Sequence, residues 1–173
     1  MPFTPYHFGP GLLVKSLASR HFSWATFVAT QIVIDSETLY FLIRQEYPVH
    51  RTLHTFLGAT LAGGLTALAF VGGRWLFDQM TLRSTRSWLP AWPSLRSESS
   101  PRGILLGGVI GGTTHPLLDG MMHQDVRPFW PWTTANPLLD VVSLTTLLNG
   151  CVIAGLIGFI LVAIGLYLES RAD

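Results

Sequence analysis

The chain is poor in charge. Asp, Glu, Lys and Arg make up 12% of its 173 residues, about half the roughly 25% of an ordinary soluble domain. Hydrophobic residues supply 49%, and the mean hydropathy is +0.40. With so little charge and no cysteine framework to compensate, a lipid bilayer is the expected solvent. The single cysteine, Cys151, sits in an apolar run and excludes a disulfide within the chain. A formal charge of +1 and the lack of a dense basic stripe exclude nucleic acid as a partner, because nothing is placed to neutralise a row of phosphates. Gly-x-Ser-x-Gly, a phosphate-loop pattern and paired cysteines are all missing, which removes the serine-hydrolase, nucleotide-loop and thiol chemistries. The opening "MPFTPYHFGPG" has no basic n-region and no small-residue cleavage site, so no cleavable signal peptide is expected.

What is present is long apolar sequence. Spanning a bilayer takes about 20 apolar residues, and three stretches approach that: 22–43, 53–73 and 141–168. A fourth, 103–119, is glycine-rich and expected to break near Pro116. Asn136-Pro137 reads as an N-cap with proline in the first turn of the last helix. Length allows one domain, so residues 1–173 are read as a single integral-membrane domain with a polar loop at 74–102. The expected fold is all-α: a multi-pass membrane helical bundle of about four spanning helices plus a short N-terminal helix. Trp88 and Trp92 in the loop suit a membrane interface.

Four spans put Lys15, Arg20, Arg74, Arg83, Arg86, Arg96, Arg102 and Arg171 on one side and Arg44, Arg51 and Arg127 on the other. By the positive-inside rule, the 74–102 loop is cytoplasmic in an inner or plasma membrane. The N-terminal segment is too short to cross alone. If it runs inward and turns near Arg20 and His21, it forms a hairpin with the first span. At 1.5 Å per residue, His7 and Asp35 then both lie roughly 20 Å from the turn, at a common depth.

Ionisable groups inside spans are costly and usually face a bundle interior or a wet cavity. Here they collect in one layer: Asp35 in the first span, His50 and His54 where the second begins, His115 and Asp119 at the end of the third, and His7 through the hairpin. Residues four apart share a helix face, so each pair can offer two ligands to one point. Any one such pair equally suits an ion pair, a helix cap or an interfacial residue; the shared depth favours metal. Mixed imidazole and carboxylate suits zinc or another first-row divalent ion. "HRTLH" matches the zincin motif in spacing only, since Arg51 stands where the glutamate base belongs. Glu37, about 200° around the helix from Asp35, is expected to point elsewhere. His123 continues the face of His115 and Asp119 but, like Asp125, receives no role. The inner half of each span reads as apolar.

Three motifs in this order, "MPFTPYHFGPGLL", "HRTLHTFLGA" and "HPLLDGMMH", resemble the YdjM-like family of inner-membrane metal-dependent hydrolases. The likeness covers most of the chain and is weakest at 74–102. The order of histidines and aspartates is also distantly similar to the zinc-dependent phospholipase C superfamily, helical enzymes that cleave phosphoesters. On that pattern the ligands are His7, Asp35, His50, His115 and Asp119, with His54 or His123 beside them. The later His-x-x-x-Glu of a three-zinc set is missing, since no histidine follows His123, so one or two ions are expected.

The sequence therefore leads to a membrane-embedded metal-dependent hydrolase acting on a phosphoester or similar bond of a small-molecule or lipid substrate. Metal ligands are expected among His7, Asp35, His50, His54, His115 and Asp119. Arg51 is the candidate catalytic cation for an anionic substrate or transition state. The alternative is a membrane protein that binds or transports metal ions or protons through the same residues.

Overall fold

A computed structural model describes residues 5–80, 98 and 100–171. These form five α-helices and two short 3-10 turns, with no strand among them. The helices are α1 (Phe8–Leu17), α2 (Trp24–Ile43), α3 (Phe56–Met80), α4 (Pro101–Met122) and α5 (Leu144–Ser170). Three of them, α2, α3 and α5, are long and apolar enough to cross a membrane. Trp88, Trp92 and most of the 74–102 loop lie outside the described residues. Its start does not: α3 runs past 73 to Met80.

Small hydroxyl side chains set the helix starts. Ser23, Ser100 and Ser143 accept hydrogen bonds from the backbone N–H groups of Thr26, Gly103 and Thr146, and Thr55 accepts from that of Gly58. Each satisfies one otherwise orphaned donor of a first helical turn. The expected cap at Asn136 is corrected by this pattern, since the last helix begins seven residues later, behind Ser143. Asn136 instead closes the preceding helix: its Nδ2 donates to the carbonyls of Gly120 (2.9 Å) and His123 (3.3 Å) at the end of α4.

The expected break at Pro116 is corrected too. Helix α4 runs through it without interruption, held on both sides by α2 and α3. Its glycines explain both the close packing and the low hydropathy. A Cβ on Gly108 would stand 2.3 Å from the carbonyl oxygen of Gly63, and one on Gly112 2.3 Å from that of Ala59. The α3 and α4 backbones thus touch directly, as membrane helices do where small residues recur every fourth position. Its glycine face is buried against α2 and α3, while Leu105, Leu106 and Leu117 on the other side stay exposed.

The contacts give the helix directions. Ser23 N–H reaches Gly103 O, and Gln31 Nε2 reaches Gly111 O, so α2 and α4 run parallel; α3 runs against them. Short α1 runs back along the bundle and packs chiefly on α5, with Gly9 against the Cys151 carbonyl and Gly158 against Leu12. At one end of the bundle Glu98 accepts from Lys15 Nζ (2.6 Å), from the N–H groups of Trp24 and Ala25 and from the hydroxyl of Ser23. His7, the last turns of α2 and α4 and the start of α3 gather at the opposite end.

Candidate metal centre

Four ligand atoms meet at that opposite end. Asp35 comes from α2, His54 from the turn before α3, and His115 and Asp119 from one face of α4. Their donor atoms all lie within 4.8 Å of one another, and all four residues are buried. His115 Nε2 is 3.1 Å from Asp119 Oδ2 and 3.5 Å from Asp35 Oδ1. His54 Nε2 is 3.4 Å from Asp119 Oδ2 and 4.0 Å from Asp35 Oδ1. Ligands sharing one tetrahedral ion at 2.0–2.1 Å stand roughly 3.3 Å apart, so these spacings fit a common ion. His115 Nε2 and Asp119 Oδ1 are buried, and their close neighbours, all within the cluster, are not aligned for hydrogen bonds, a costly arrangement unless something binds them. The ion pairs of Asp35 and Asp119 among the described residues are all with histidines. Two buried carboxylates with no Lys or Arg need a balancing positive charge, which a bound metal ion or protonated histidines supply.

Neighbouring groups aim the imidazoles. Gln31 donates its amide to Gly111 O (3.2 Å), which fixes its Oε1 toward His115 Nδ1–H. The Nε2 lone pair of His115 is thereby turned into the cluster. His54 Nδ1 donates to Glu37 Oε1 (3.1 Å), which leaves Nε2 facing inward, where Thr38 Oγ1 lies 3.2 Å away. Outer partners of this kind set tautomer and ring orientation at metal sites. The expectation that Glu37 points elsewhere is corrected: the turn carrying His54 folds over α2, so Asp35 and Glu37 reach opposite edges of one imidazole. Glu37 also accepts the N–H groups of Arg51 and Leu53, fixing that turn.

The other sequence-derived residues divide. His7 joins the centre: its ring stacks on His115 at 4.3 Å, and its Nε2 is 3.0 Å from Asp119 Oδ1. His50 does not enter the buried quartet. It belongs to a neighbouring group with His123 and Asp125, its Nδ1 donating to Asp125 Oδ1 at 2.8 Å and its ring 4.5 Å from that of His123. The groups touch, because the His50 and His54 rings lie 4.7 Å apart and His123 Nε2 lies 3.9 Å from Asp119 Oδ1. Arg51 stands beside them, its guanidinium 3.5 Å from the Phe41 ring centroid. Nothing in the sequence points to Gln31, and Asp125 receives no role from it; His123 is a further ligand candidate there, through its helical spacing from Asp119 and the phospholipase-like pattern.

Charge in the outer group follows its surroundings. Burial pushes the His50 imidazole down from its ordinary value, and His54 adds to this against the pull of Asp119 and Asp125. Burial lowers His123 likewise, so both rings are neutral at pH 7 and able to act as ligands. Burial works to raise the Asp125 carboxyl, but the hydrogen bonds it accepts from the His50 ring and backbone N–H outweigh this and hold it low. A cavity of about 650 Å³, lined by His50, His123 and Asp125, opens beside the group.

Comparisons with protein-family models, curated proteins and solved structures give no match.

Proposed function

We propose that this chain is a membrane-embedded metal-dependent hydrolase that cleaves a phosphoester or similar bond. The observation that carries the reading is the buried quartet of Asp35, His54, His115 and Asp119, with two buried carboxylates, ligand atoms not aligned for hydrogen bonds and aimed imidazoles. These four residues would hold a divalent ion, zinc or another first-row metal by ligand chemistry, which would supply an activated water as nucleophile. Asp119 presents Oδ2 to the quartet and Oδ1 to His7 and His123, and His50, His123 and Asp125 would hold a second ion if one binds. Glu37 and Gln31 hold the ligand tautomers. The 650 Å³ cavity admits substrate beside the ligands, and Arg51 supplies positive charge nearby.

The resemblance to YdjM-like hydrolases points the same way, and so does the membrane setting. We place α4 as a fourth span, its glycine face on α2 and α3 and its leucines toward lipid; α1 turns back as expected and returns His7 to the centre, but it packs chiefly on α5 rather than on the first span. The positive-inside rule then puts the 74–102 loop in the cytoplasm and the centre near the outer leaflet, in reach of lipid or lipid-linked substrates.

A second reading, metal or proton transport, gains from one observation. The inner half of α2 is not apolar on its buried face: Ser23, Thr26, Thr30 and Gln31 are all buried there. Yet the Thr30 hydroxyl is spent on its own helix, that of Thr26 on Ser23, and Gln31 on Gly111 and His115. No ionisable group lies on that face between Asp35 and the α2 start.

Elemental analysis of detergent-purified protein tests the centre. Wild type is expected to carry at least one equivalent of divalent metal, and His115→Ala or Asp119→Asn to lose it. Metal-replete wild type with none would refute the reading. A phosphoester and lipid hydrolysis screen, run beside ion flux in proteoliposomes, then separates hydrolase from transporter.

A further inference from the structure

A second cavity, of about 400 Å³, opens at the same end of the bundle and differs in chemistry from the first. His50 lines both, and its ring packs on that of His54, so it forms the partition between this cavity and the quartet. The walls carry two guanidinium groups, Arg51 and Arg127, together with Thr52 and Trp130. Arg51 is pinned: Nε donates to Pro48 O at 2.9 Å, Nη2 reaches Glu46 Oε2 at 3.4 Å, and one face rests on Phe41. Arg127 is exposed, and its guanidinium makes no hydrogen bond or ion pair among the described residues.

The carboxylates nearby are committed. Glu46 serves Arg44 (2.9 Å) as well as Arg51, and Asp125 accepts from His50 Nδ1 and from the N–H groups of Val49 and His50. The cavity therefore holds one fixed cation and one uncommitted cation, with no free anion among its lining residues. Planar guanidinium forks match the paired oxygens of phosphate. Exposed Tyr47, Trp130 and Trp132 stand around the same end, and such aromatics settle at headgroup level in a bilayer.

Resting on the phosphoester reading above, we propose that the Arg51–Arg127 cavity seats a phosphate group of the substrate, outside the metal centre and across His50 from it. Arg127 is the recognition residue, and Arg51 is the preorganised wall against which the phosphate is held. The cavity thus selects substrates by a phosphate that is not the ligand of the ion.

Calorimetry on the full chain in detergent tests this, after chelator treatment so that anions cannot bind through a metal. The titrants are inorganic phosphate and short-chain phosphatidic acid. Wild type is expected to bind at least one saturably, Arg127→Gln to weaken binding about tenfold or more, and Arg127→Lys to recover part of it. Binding of phosphatidic acid alone assigns the site to a lipid headgroup; binding of inorganic phosphate assigns it to phosphate from any source. If neither titrant binds wild type, or Arg127→Gln binds as well as wild type, the proposal is overturned. Because Arg127 is exposed, its substitution leaves the fold intact. Metal content, measured in parallel, reports on the hydrolase reading alone, so either idea can fail without the other.

Discussion

At the scale of the residue, the decisive feature is that each imidazole of the quartet is held from behind. Glu37 accepts the hydrogen bond from His54 Nδ1–H, and Gln31 Oε1 accepts that from His115 Nδ1–H. Glu37→Gln keeps every ligand in the quartet but lets His54 adopt the wrong tautomer. Metal affinity, measured by competition with a chelator, is expected to fall roughly 10- to 100-fold, while His115→Ala abolishes stoichiometric binding. Equal affinity in Glu37→Gln and wild type would show that Glu37 only braces the turn. The ligand types, and the pairing of His115 with Asp119, were legible in the sequence because helical spacing sets a shared face. Whether His50 or His54 enters the quartet was not legible. That choice depends on how the irregular segment 44–55 folds over α2, which no periodicity encodes.

At the scale of the element, α3 and α4 meet at glycine, and the response to added bulk depends on whether a glycine faces that seam. Gly112→Ala places its Cβ 2.3 Å from the Ala59 carbonyl oxygen, a backbone atom that cannot step aside, and is expected to cost about 1–3 kcal/mol. Gly64→Ala on α3 meets nothing within 4 Å and is expected to be neutral or slightly stabilising, since alanine is the better helix former. Thermal unfolding in detergent compares the two. The Glu98 clamp at the far end makes a further prediction. Burial works to raise the Glu98 carboxyl, but Lys15 and the α2 N–H groups outweigh it and hold it below its ordinary value. A folded-state pKa that is depressed contributes stability above the unfolded value of about 4.3, and that stability is lost as pH falls through the folded value. Glu98→Gln is therefore expected to lower stability by about 2 kcal/mol at pH 7 and by progressively less below pH 4. A loss that persists undiminished under acid would contradict an electrostatic clamp.

At the scale of the whole molecule, the centre lies at one end of the bundle and the Lys15–Glu98 clamp at the other. With the 74–102 loop cytoplasmic, a cysteine at exposed Thr134, beyond the end of α4, is expected to react with an impermeant reagent outside intact cells. One at Ser19, in the turn between α1 and α2, is not; Cys151 is buried and adds no background. The reversed labelling pattern would overturn the orientation and move the centre to the inner leaflet.

The sequence by itself determined which helices are long and apolar enough to span lipid and which residue types are on hand to hold a divalent ion: apolar runs of spanning length, and histidines mixed with aspartates at helical spacing. It also marked out α2, α3 and α5, because a helix that faces lipid must be apolar along its length. Only the tertiary structure decided that α4 passes unbroken through Pro116, since its glycines let α2 and α3 pack closely against one side of it. The quartet, too, was decided there, when the 44–55 segment set His54 between Asp35 and Glu37 and left His50 outside with Asp125. Spacing along one helix is a local property that a sequence records. The meeting of four segments at one buried point is fixed by packing, and by which polar atoms packing leaves facing one another.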